Sequence, residues 1–216
     1  MTAIASPPKI LTSALENIEI SLLRQVIIDA EMERKNHFRR THPRLYSGWL
    51  AYAERVALLR ERVPTGWEIL EEHGQAGVVT RDGRFRILPM TGDASTGHLD
   101  GPGPRTLKRG VCTFEAVRAN YETVFGHPQP QQVLLFDPCP QVSPPADTIT
   151  ILLLVFREGD HLQAELAIPV EMANSGNYTA FTYHERLLVL DESIAPASVE
   201  VSETEEEHID IAIDEI

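Results

Sequence analysis

The hydrophobic pattern is clearest between residues 147 and 190. Residues 148–156 (Thr-Ile-Thr-Ile-Leu-Leu-Leu-Val-Phe) form the most apolar run of the chain. A turn at 157–160 (Arg-Glu-Gly-Asp) leads into an alternation, with Leu162, Ala164, Leu166 and Ile168 on one face and Gln163 and Glu165 on the other. After a polar loop at 174–177, a third run ends in Leu-Leu-Val-Leu at 187–190. A continuous apolar run beside a period-two segment predicts a buried central strand next to a half-exposed one, with Glu165 on the solvated face.

Upstream, the period changes. Leu15, Ile18, Leu22 and Val26 recur at three or four residues behind a Ser13/Glu16 capping box, predicting a helix over 13–36. Pro43 disfavours helical geometry at His42. A second helix is expected from about Ser47, with Trp49, Tyr52, Val56, Leu59 and Val63 as its inward stripe and Pro64-Thr-Gly66 as its end. Two amphipathic helices with a short connector predict an antiparallel hairpin. Beyond Gly66, strands are expected at 67–70, 76–80 and 84–88, the last two joined through Asp82-Gly83, a strong hairpin signal. Residues 91–110 hold five glycines and two prolines and predict a loop. A helix capped by Thr113 should then display Phe114, Val117, Tyr121 and Phe125 and stop at Gly126-His-Pro128, before a short strand at 133–136.

These elements predict an α+β protein: a flexible lead-in (1–12), a helical hairpin arm (13–64), an α+β core with a mainly antiparallel sheet and one packed helix (65–190), and an acidic tail (191–216). The tail closes on Ile209, Ile211 and Ile213, alternating with Asp210 and Ala212 as in an amphipathic strand.

Charge sharpens this division. The formal net charge is −13. Residues 1–66 carry ten Lys/Arg against seven Asp/Glu, whereas 191–216 carry ten acids and no Lys or Arg. A dedicated nucleic-acid binder is disfavoured, because phosphate neutralisation supplies much of such affinity. Yet residues 34–44 gather Arg34, Lys35, Arg39, Arg40 and Arg44 around Phe38, a cluster suited to a partner protein or to phosphates and a stacked base. No apolar run reaches the roughly 18 residues of a membrane span, and the start lacks signal-peptide character, so a cytoplasmic, bacterial protein is expected.

Catalytic patterns are sparse. Residues 92–98 (Gly-Asp-Ala-Ser-Thr-Gly-His) imitate a phosphate loop, but His98 stands where the lysine belongs, Leu99 where the hydroxyl belongs, and the Gly-Pro-Gly-Pro at 101–104 prevents the required helix. Cys112 precedes a predicted helix N-terminus, which would favour its thiolate, with His98 or His127 as the base of a thiol enzyme. Cys139 is the other cysteine, and no CxxC, His-x-His or His-x-x-x-His spacing occurs, so no metal or cofactor is expected. Asp137, Glu165, His161 and His184 form the remaining candidate set, for a metal-dependent hydrolase or nuclease. The favoured expectation is a non-catalytic interaction or regulatory protein, contacting a protein partner through the basic arm and acidic tail. An accessory protein of a mobile element or defence operon fits that description. The terminal isoleucines would add a strand to a partner's sheet or to the protein's own, or the tail would lie against the arm and mask it from polyanions.

Overall fold

A computed structural model of the chain describes residues 9–39, 41–72, 74–129 and 147–194. Helices α1 (Lys9–Ala14), α2 (Ile20–His37) and α3 (Arg44–Arg62) precede strands β1 (Trp67–Glu72), β2 (Gln75–Thr80), β3 (Phe85–Thr91) and β4 (Thr106–Leu107). Helix α4 (Val111–Phe125) and strands β5 (Ile149–Glu158), β6 (His161–Ser175) and β7 (Tyr178–Ser193) follow. The strand foreseen at 133–136 and residues 195–216 of the acidic tail, with Ile209, Ile211 and Ile213, lie outside the described residues, while the first three residues assigned to the tail, 191–193, are the end of β7.

The seven strands form one sheet in the order β1-β2-β3-β5-β6-β7-β4. Every pairing is antiparallel except β3 with β5, which run parallel from Phe85↔Ile149 to Thr91↔Val155. The β2–β3 hairpin forms where Asp82-Gly83 predicted it. Gly83 takes the positive φ of 74° that the turn requires, and Asp82 Oδ1 accepts hydrogen bonds from Thr80 and the Arg84 amide.

Both faces of the sheet are covered. On one, Leu11, Leu23, Val26, Ile27 and Leu59 of the N-terminal helices share a core with Ile87, Ile151, Leu153, Leu166 and Leu190. On the other, Val117 of α4 packs with Leu88, Leu152, Leu154, Ala167 and Phe181. The second face explains why β6 departs from expectation: Gln163 and Glu165 are buried, because the 92–104 loop covers the side predicted to meet water.

Three local details also differ from the sequence expectation. The helix foreseen over 13–36 is broken by a 3-10 turn, Leu15–Asn17, and by Ile18, whose extended backbone (φ −142°, ψ 117°) separates α1 from α2. The Ser13/Glu16 pair therefore caps nothing. The N-terminus of α1 is capped from afar, with Glu185 of β7 accepting hydrogen bonds from the amides of Lys9, Ile10 and Leu11 at 2.8–3.1 Å. On α4 the buried stripe is Thr113, Ala116, Val117 and Asn120, rather than one running through Tyr121 and Phe125. Asn120 Nδ2 donates to the carbonyls of Thr150 and Pro169, and its Oδ1 accepts the Thr150 amide, tying α4 to β5 and β6.

Candidate functional site

The hairpin is antiparallel: Arg62 pairs with Asp29 near one end and Arg34 with Ser47 near the other. Its connecting end carries a column of rings. Phe38 meets His42 edge-on at 5.9 Å between centroids, His42 meets Tyr46 at 4.5 Å, and Tyr46 meets Trp49 at 6.1 Å. Trp49, expected on the inward stripe, is 63% exposed and Leu45 is 88% exposed. The inward face of α3 is rotated to Leu50, Ala51, Arg55, Val56 and Leu59. The basic cluster is divided. Arg34 turns inward to Glu31, and Lys35 binds the Asp160 carboxylate at 2.9 Å, holding that carboxyl below its ordinary range, while Arg39 stays exposed. Arg40 and the Arg44 side chain lie outside the described part of the molecule.

Beneath the hairpin is a cleft of about 200 Å³ between α2, α3 and the C-terminal ends of β3 and β5. Glu31, Arg34, Ser47, Gly48, Arg55, Thr91, Gly92 and Arg157 are among its walls. Glu31 Oε1 accepts from Arg34 Nε at 2.8 Å and lies 3.7 Å from Arg157 Nε, and Arg34 Nη1 donates to Ser47 Oγ at 3.0 Å. Arg55 reaches Thr91 Oγ1 at 3.3 Å through Nη2, but its buried Nε has no hydrogen-bond partner among the described residues. Burial lowers the Arg55 pKa to about 10, against the opposing pull of Glu31, so the group is still charged at neutral pH. Three guanidiniums and one carboxylate thus line the cleft, two of the three against the carboxylate itself.

Sequence reasoning missed Arg55 and the inward turn of Arg34, although a signal existed. Arg55 sits four residues from both Ala51 and Leu59, and Arg34 four from Ala30, so each continues a buried stripe in place of an apolar residue.

The catalytic candidates are dispersed or occupied. Glu165 is 0% exposed and both its oxygens are engaged: Oε1 by Arg186 Nε at 2.8 Å, Oε2 by Arg186 Nη2 and the Gly97 amide, each at 2.7 Å. Arg186 also donates to the carbonyls of Ser95, His98, Leu99 and Gly101. The loop that imitates a phosphate loop is therefore folded around a carboxylate of its own chain. Gly103 completes its seat, since a Cβ there would meet the Tyr183 ring at 2.3 Å. His161 lies four residues from Glu165 along β6, about 13 Å at the usual strand rise, and binds Asp191 and Ser193 at the surface. His184 stacks edge-on against Phe125. His98 and His127 each contact a carbonyl of their own loop, those of Thr96 and Pro128. Cys112 is half-buried in the first turn of α4, and Asp137 lies outside the described residues. Among the described residues, no three His, Cys, Asp or Glu side chains are grouped to hold a metal ion, and no helix is long and apolar enough to cross a membrane.

Comparison with protein-family models, with curated proteins and with solved structures finds no match to this chain.

Proposed function

We propose that this chain is a non-catalytic interaction protein that binds a protein partner through the connecting end of its helical hairpin. The acidic C-terminal segment is a second contact element in this reading. One observation carries it: the ring column of Phe38, His42, Tyr46 and Trp49 ends in two large apolar side chains, Trp49 and Leu45, that stand clear of the protein. Burying such a side chain on a partner contributes about 1.5–3 kcal/mol, and Trp is among the residues in which binding energy concentrates. Residues 36–44 contain three Arg and no acid, so the matching surface is an apolar slot with an acidic rim. A nucleic acid is the poorer fit. Lys35 is already paired with Asp160, and Arg34 is buried and so not offered at the hairpin surface, and affinity for polyanions follows the number of cations offered to phosphates. A hydrolase or nuclease reading is weaker still, because Glu165 is fully buried and its charge is taken up by Arg186.

The test places a photo-crosslinking residue at Trp49 or, as a control, at the equally exposed Ile69 on the β1 edge, with the full chain expressed in its source cells. The expected result is a discrete, nuclease-resistant protein adduct from position 49 only. The captured protein, once purified, should bind L45A/W49A at least about tenfold more weakly than wild type. Nuclease-sensitive adducts, or undiminished binding by the double variant, would contradict the proposal.

A further inference from the structure

The cleft beneath the hairpin is independent of the ring column and has a chemistry of its own. Glu31, its one carboxylate, is engaged by Arg34 and approached by Arg157. Arg55 is 7% exposed, donates a long hydrogen bond to Thr91 Oγ1, and has an Nε with no partner among the described residues. An unmade hydrogen bond of a buried charged group is costly to the fold, and an apolar side chain of similar length would serve packing better. A cation kept under those conditions points to a ligand that completes its bonding. The position agrees. Thr91 and Val155 are the last register pair of β3 and β5, the sheet's parallel strands, and the cleft opens beyond them. Ligands of α/β sheets collect outside the carboxyl ends of parallel strands.

The ligand's chemistry follows from charge, shape and size. Three guanidiniums and one carboxylate leave two positive charges, which match a phosphoryl dianion. Guanidinium forks bind tetrahedral oxyanions through paired N–H bonds. At about 200 Å³, the cleft is smaller than the roughly 300–1,000 Å³ of pockets that enclose drug-sized molecules. We propose that this cleft binds a phosphoryl group, as free phosphate or the head of a compact monoester, with Arg55 donating from the floor and Arg34 and Arg157 from the walls.

The experiment is calorimetric and thermal titration of the full chain with inorganic phosphate, glycerol 3-phosphate, acetate and chloride at matched ionic strength. The expected result is saturable binding and a rise in Tm with phosphate, the monoester or both, and neither effect with chloride or acetate. Tighter binding of the monoester assigns the ester as ligand; tighter binding of inorganic phosphate assigns the free ion. R55M should weaken binding at least tenfold. Should R55M fail to fold, R157Q at an exposed position carries the test, with a several-fold loss expected. Equal responses to chloride or acetate and to phosphate, or wild-type affinity in the variants that fold, would overturn the assignment.

Discussion

Two arginine centres, on opposite faces of the sheet, treat the same functional group in contrary ways. At the Glu165–Arg186 clasp, one acid meets one guanidinium. Both carboxylate oxygens are used, and the remaining N–H groups reach loop carbonyls. In the cleft, three guanidiniums line the walls with one acid, and a buried Nε is left over. A closed set of bonds fixes a structure, here the seating of the 92–104 loop. An open set leaves capacity for something that is not part of the fold. Each place buries a carboxylate and a guanidinium, and what separates them is the surplus of cations and the satisfaction of their donors.

Deleting the same group in each should therefore have opposite consequences. The largest effect belongs to the clasp: R186M leaves Glu165 buried without its partner and should cost about 3–5 kcal/mol in urea unfolding. Faster amide exchange over 92–104 should accompany the loss. N120A, which breaks three bonds in an interior that is likewise closed, should cost about 2–3 kcal/mol by the same measurement. R55M should change unliganded stability by less than about 1 kcal/mol, or raise it, while removing the response to phosphate. A loss as large as that of R186M would show that Arg55 belongs to the fold.

The smallest effect is a pH dependence in the clasped loop. Burial pushes the Asp93 carboxyl up, but hydrogen bonds from Arg105 and the Ser95 amide outweigh this and hold it below the ordinary value of about 3.9. A depressed carboxyl contributes stability that is present above its unfolded pKa and lost as pH falls through its folded one. Stability measured from pH 5 downward should decline slightly more steeply in wild type than in R105A.

The sheet was largely legible in the sequence and the cleft was not, for physical reasons. The apolar run at 149–156 and Asp82-Gly83 act locally, through burial and turn geometry, so their signals lie within a few residues. Trp49 misled because α3 buries an adjacent face, and the helical period alone does not say which of two neighbouring stripes meets the sheet. Glu165 misled because its cover comes from a loop some seventy positions earlier, beyond the reach of any periodicity. Of the cationic cluster at 34–44, the charge was visible, but the inward turn of Arg34 is fixed by packing: Glu31 lies one turn back on the same helix, and Ser47 reaches it from α3. Arg55 was hidden because a charged residue on a helix is ordinarily solvated; only its place between Ala51 and Leu59 marked it.

The contrast between the two centres can be observed at the guanidiniums themselves. In a nitrogen-15 spectrum of the full chain, each Arg Nε–H gives its own resonance, and inorganic phosphate can be titrated at constant ionic strength. Saturable shifts of the Arg55 and Arg34 signals, with Arg186 unmoved, are the predicted result. A static Arg55 signal, or shifts of equal size at Arg186, would contradict the distinction between an open cleft and a closed clasp.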